Sequence, residues 1–427
     1  MPLPMFARTL LVCWMAATPV LVFGQTDFVP QGGEYAIAGA LPGDQTFPQA
    51  AISPAGGYLV WQDNSAGTNG LRIEAVALTG NLTASGSPFV VSSSAASKST
   101  GDQERPQVAL LNTGGAVVVW QGGKFGLQKI YARFIGASGV PVGKDMLVNT
   151  YTKNYQINPA VAVLTDGSVV VVWSSFGQDG SMQGIFGQRL SATGAKVGKE
   201  FPINQTTLYN QRTPAVAALA NGNFVVAWVS ELQRGTSSVD IYARIYSSTG
   251  AVGGEFPVNT SPTNICANPA VVGSPQGGFA VAWSQNDTVT LGVQGESPAT
   301  TPSANGWDVF GCLFDANGNA TATPFRLNTF TYGDQYAPKL GVAGSNYMAV
   351  WTSLGEDGSW EGVYGQFFSN SGAFIVTETR VNDTTISHQF QPSVASDGAS
   401  RFLAVWSSFV GDTSFDLYGK VYQPVGP

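Results

Sequence analysis

Seven short apolar runs that each end in a tryptophan, a Gln-x-x-Pro ahead of six of them, and the lack of any segment with helical period predict an all-β chain, a seven-bladed β-propeller of four-stranded blades. The tryptophans are Trp61, Trp120, Trp173, Trp228, Trp283, Trp351 and Trp406, spaced 59, 53, 55, 55, 68 and 55 residues apart. A unit of that size cannot cover both faces of its own sheet, so neighbouring sheets must stack, and radial stacking makes a propeller. Tandem sandwich domains would need roughly 100 residues each.

The stretch from Gln156 to Asn204 shows the unit. PAVAVL (159–164) lies between a proline and the Asp166-Gly167 turn signal and is strand A. VVVVW (169–173) is an unbroken β-branched run, which suits a strand covered on both faces, and is strand B. IFGQRL (185–190) is strand C, and KEFPIN (199–204), whose internal Pro202 fits an edge, is strand D.

The other copies follow this order. Gln-x-x-Pro begins at Gln45, Gln103, Gln156, Gln211, Gln335 and Gln389, with Cys266 in the glutamine's place before Pro269. Strand C returns at Ile130, Ile241, Val309, Val363 and Leu417, and the strand-D ending returns at Asn149, Asn259, Asn328 and Asn382. After LYGKVY (417–422) only QPVGP remains, so the last blade lacks strand D. GGEYAIA (32–38) matches GGEFPVN (253–259) and precedes the first Gln-x-x-Pro, so the amino-terminal strand is expected to complete the last blade and close the ring.

Residues 1–24 carry one arginine and an apolar stretch with Pro19 inside it, the pattern of a signal peptide cleaved near Gly24 rather than of a spanning helix. Residues 25–427 are expected to form the single propeller domain, outside the cell or in the periplasm or at the cell surface. Loss of Arg8 takes the net charge from −7 to −8, which argues against nucleic acid and anionic membranes as partners.

The combination of Gln-x-x-Pro, VVW, IYGQR, a turn glycine and FxVN resembles the tandem propeller-type repeats of secreted and surface bacterial proteins. The resemblance covers nearly all of the chain after the leader and implies a fold rather than an activity. It departs from WD and kelch repeats, and EDGSW (356–360) lacks one residue of a sialidase Asp-box.

The strand-B tryptophans fit blade packing without a ligand. Trp307 and Trp360 are different, because they stand in polar stretches just before strand C, flanked by carboxylates, where an indole suits the face of a sugar. With Glu356, Asp357 and Asp179 they make up the candidate ligand site. Asp179 and Asp357 occupy matching GQDGS and GEDGS loops, but the other blades do not repeat acidic residues there, so turn chemistry is expected and no metal. No cofactor motif is present. The single histidine, His388, leaves no room for a histidine-rich metal site.

Cys266 and Cys312 both fall in the fifth unit at recurrent polar positions, and in an exported protein they are candidates for a disulfide, with two buried thiols as the other reading. The functional expectation is a noncatalytic binding or scaffold protein that contacts a glycan or an extracellular protein surface through the face carrying the D-to-A and B-to-C loops. The alternative is a carbohydrate-active enzyme, a glycoside hydrolase or lyase, with a carboxylate pair over the central channel. The insertion at 285–306 lies on the same face, beside Trp307.

Overall fold

The computed structural model describes residues 27–64, 70–93, 101–286, 306–411 and 414–425. Residues 1–24, where a signal peptide is expected, and nearly all of the insertion at 285–306 lie outside the described residues. Among those described, every regular element is a strand, and the sheets are β-propeller-like groups of four antiparallel strands that follow one another along the chain.

The third unit runs Gln156–Val163, Val169–Phe176, Gln183–Leu190 and Lys196–Pro202, in that order across its sheet. The units spanning 211–257 and 265–326 share one sheet through a single parallel pair, Val239 with Ile265. In the last unit Ser414–Pro424 pairs with Tyr35–Ala36, in the register Tyr35 to Gly419 and Ala36 to Tyr418. Phe28–Pro30 extends that edge by pairing with Tyr422–Pro424.

The unbroken apolar runs have the predicted cause. All seven strand-B tryptophans are fully buried. Val117, Val119, Ile130 and Ala132 of one unit pack with Val169, Val171, Trp173 and Phe186 of the next. The same kind of cluster joins Leu403, Val405 and Leu417 to Leu59, Trp61 and Val76, the two ends of the chain. Each strand B is thus covered from both sides by neighbouring sheets, which is where apolar burial supplies stability.

Two recurrent motifs prove to be one device. The strand-D asparagine accepts from a strand-C amide through Oδ1, as Asn204 does from Ile185 N–H at 2.7 Å. Its Nδ2 donates to the Thr206 carbonyl at 2.8 Å and to Gln211 Oε1, the first residue of the next Gln-x-x-Pro, at 3.3 Å. These buried amides lock the crossing from one unit to the next. Where Cys266 replaces the glutamine, the Asn259 amide bonds Asp240 Oδ1 instead, at 2.9 Å.

The expected disulfide is corrected. Cys266 and Cys312 are both buried in one cluster and are not bridged. On the strand between them, Cys266 stands opposite Gln285 and Cys312 opposite Val281. Four residues along a strand are about 13 Å, far beyond the roughly 7 Å Cα limit of a disulfide.

The third residue of each Gln-x-x-Pro takes the left-handed conformation: Phe47, Arg105, Asn158, Thr213, Asn268, Ala337 and Gln391 all have φ between 51° and 55°. None is glycine and each precedes a proline, so each is strained. The ladder shifts register at every one of these points, and side chains from the preceding unit hold several of the amides. Asn158 N–H donates to Gln121 Oε1 at 2.8 Å and Ala337 N–H to Ser284 Oγ at 2.9 Å.

Candidate functional site

The loop from Gly355 to Trp360 joins strands B and C of the sixth unit. Its ends are tied by the Gly355 N–H to the Trp360 carbonyl at 2.7 Å. Asp357 Oδ1 accepts from Ser359 N–H at 3.0 Å, which is turn chemistry, and the carboxylate folds over Gly362, where a Cβ would come within 2.9 Å of Oδ2. Asp179 does the same in the third unit, accepting from Ser181 N–H at 3.1 Å. The structure therefore places Asp179 three units away from Asp357 and does not gather the two into one site.

Glu356 is the chemically distinctive member. Its Oε2 accepts from Ser353 Oγ at 2.7 Å. Burial, reinforced by the nearby Glu378 and Asp357 carboxylates, pushes its carboxyl from the ordinary 4.5 up to about 7. Glu378 is held in place by the preceding unit, accepting from the Thr329 and Phe330 amides at 2.6 and 3.0 Å.

Trp360 is 62% exposed and lies face to face with His388, ring centroids 5.4 Å apart. His388 Nδ1 contacts the Glu361 carboxylate. Tyr336 is pushed up to about 12 by burial and by Glu361 and Asp334. Asp334 Oδ1 in turn accepts from Trp307 N–H at 3.0 Å. Trp307 is a correction in one respect: it is half-buried and is the first residue of strand Trp307–Phe314, paired with Asn286, rather than a loop residue. Contacts and charge effects thus run from Trp307 through Asp334, Tyr336, Glu361 and His388 to Trp360, across three consecutive units.

Sequence reasoning named Trp307, Trp360, Glu356 and Asp357 but passed over Glu361, His388, Tyr336 and Glu378. A signal existed for Glu378: glutamate recurs at Glu34, Glu200, Glu255 and Glu378 in strand D. In each case it accepts from amides of the preceding unit, and Glu34 does so from Asp383 at 2.6 Å. The axial cavity is lined by the first strands of all the units, and no Asp or Glu is among its lining residues.

Among the described residues no cluster of His, Cys, Asp and Glu is arranged to hold a metal ion. No known protein family and no curated protein matches the sequence. By structure the chain is similar to a polysaccharide lyase, Uly1, with a TM-score of 0.53 and 9% identity over 91% of each chain. It is also similar to a protein of unknown function from Dyadobacter fermentans, with a TM-score of 0.52 and 11% identity over 75% of this chain and 94% of that one. An α-L-arabinanase from Penicillium chrysogenum, complexed with arabinobiose, gives a TM-score of 0.48 and 16% identity, covering 74% and 92%. At these identities the likeness is one of fold. The expectation of a noncatalytic binding or scaffold protein is corrected here: the fold this chain shares over nine-tenths of both chains is that of a polysaccharide lyase, not of a known binding or scaffold protein.

Proposed function

We propose that this chain is an exported carbohydrate-active enzyme that cleaves glycosidic bonds, built on a closed ring of seven four-stranded blades with its site on the sixth. The observation that carries the reading is Glu356, a carboxyl raised to about 7 beside Glu378 in the loop between strands B and C of the sixth unit. A group that keeps its proton near neutrality can protonate a departing glycosidic oxygen, which both hydrolysis and elimination require. The exposed indole of Trp360 offers a face for a sugar ring. Glu361 contacts His388 Nδ1, and the tautomer with its proton on Nδ1 leaves Nε2 free to take a proton from water or from the sugar.

The test is a panel of neutral and uronate-containing polysaccharides incubated with residues 25–427. Release of reducing ends without ultraviolet absorption indicates hydrolysis, and an unsaturated product absorbing near the ultraviolet edge indicates elimination. No cleavage of any polysaccharide, or equal cleavage by the Glu356→Gln variant, would sink the proposal. Ring closure has its own test. Deleting residues 25–38 removes both amino-terminal strands and the Glu34 tie to Asp383 and Thr384. That deletion should lower the melting temperature and broaden the transition, and an unchanged melt would count against closure.

A further inference from the structure

The axial cavity carries a second, unrelated feature. It is lined by first-strand residues from every unit and encloses about 310 Å³. Two cations, Arg105 and Lys339, are among its lining residues, in a protein whose net charge is −7. The Arg105 guanidinium lies over the Phe47 ring at 5.0 Å. Neither cationic side chain makes a hydrogen bond or ion pair with a described residue. Burial and the Arg105 charge together depress the Lys339 ammonium below its usual range, so the two like charges feel each other inside the cavity.

The fold does not ask for either cation. The position of Lys339, just after the proline, is filled by Gln49, Gln107, Ala160, Ala215, Ala270 and Ser393 in the other units. Arg105 is likewise the one cation in the ring of left-handed residues, where Asn158, Thr213 and Asn268 add neutral hydrogen-bonding groups. Arg105 is exposed and Lys339 half-buried, and two like charges lining one cavity repel each other unless something compensates them. A group with two or more acceptor oxygens and negative charge suits a guanidinium fork and an ammonium facing the same space.

We propose that the axial cavity is a binding site for a compact oxyanion, a phosphate, sulfate or carboxylate group, held between Arg105 and Lys339. The oxyanion is either a free ion or the acidic group of a glycan end that enters the cavity. The site is separate from the Glu356 loop and stands whether or not that loop is catalytic.

Isothermal titration of residues 25–427 tests this with four probes at matched ionic strength: sodium phosphate, sodium sulfate, an oligogalacturonate and a neutral oligosaccharide, against a chloride background. Saturable binding of at least one anionic probe is expected. Lys339→Gln and Arg105→Gln should each weaken it at least about tenfold, while Glu356→Gln should keep the parent affinity. Binding of phosphate or sulfate alone identifies a free ion, and binding of the oligogalacturonate alone identifies a glycan end. Each variant removes one of two like charges that line the same cavity, so each should melt no lower than the parent, which shows that lost binding is not lost folding. Failure of every anionic probe to bind, or equal binding by both variants, would overturn the proposal.

Discussion

The third and sixth units carry the same loop with different chemistry. GQDGSMQG (177–184) and GEDGSWEG (355–362) share their glycines, their aspartate turn and the closing bond from the first glycine, 2.6 Å in one and 2.7 Å in the other. In the third unit Gln178 Nε2 donates to Glu200, and the fourth unit repeats this with Gln233 and Glu255 at 2.7 Å. The sixth unit has Glu356 where those amides stand and Glu378 where those carboxylates stand. Met182, Gln183 and Asn210 of the third unit become Trp360, Glu361 and His388 around the sixth. One backbone thus serves first as a neutral tie and then as a titratable, aromatic surface. An amide can donate to the half-buried strand-D glutamate at any pH, whereas a carboxyl can do so only while protonated.

The largest expected effect comes from making the sixth loop like the third. Glu356→Gln should lower glycosidic cleavage by about a hundredfold to ten-thousandfold, the usual worth of a general acid, with the fold intact by circular dichroism. The reverse change, Gln178→Glu, should cost about 1 to 3 kcal/mol at pH 8, where the new carboxylate faces Glu200 without a donor. Urea melts at pH 5 should recover most of that loss, and a variant equally stable at both pH values would break the comparison.

Stability against pH gives the next test. Burial raises the Glu356 carboxyl from 4.5 to about 7, so the folded chain holds a proton that the unfolded chain releases. The stability linked to that proton is fully present below about pH 4.5 and is lost as pH rises through about 7. Allowing for the partial exposure of the group, the loss should be about 1 to 2 kcal/mol. The slope should be absent from Glu356→Gln. The smallest effect belongs to Trp360→Met, the third unit's residue, which should raise KM about tenfold and leave kcat and stability, within about 0.5 kcal/mol, unchanged.

The fold was legible because its signals are periodic. A β-branched run buried on both faces can be read directly from VVVVW (169–173), and the pairing of Tyr35–Ala36 with the last unit follows from GGEYAIA (32–38) matching a strand-D sequence. The site was only half legible. Trp360 stood out as a tryptophan that no packing period demands, and Glu356 was named beside it, but Glu378 looked like an ordinary member of the repeat. His388 and Glu361 are brought together by packing between neighbouring units, which no local spacing records. The strained residue of each Gln-x-x-Pro was invisible, because Phe, Arg, Asn, Thr, Ala and Gln share no preference for positive φ. Of the two readings of Cys266 and Cys312, the disulfide gave way to the buried thiols, because the register sets the pair opposite Gln285 and Val281, four residues apart along the strand between.

The most direct measurement is the pH dependence of kcat/KM on whichever polysaccharide is cleaved, for the parent and for Glu356→Gln. If Glu356 supplies the proton, the parent profile should fall with rising pH around 7, the value at which the buried carboxyl ionises, and the variant should lose that limb along with most of its activity. A parent profile flat from pH 5 to 9, or a variant that keeps the same limb, would contradict the assignment of Glu356 as the acid.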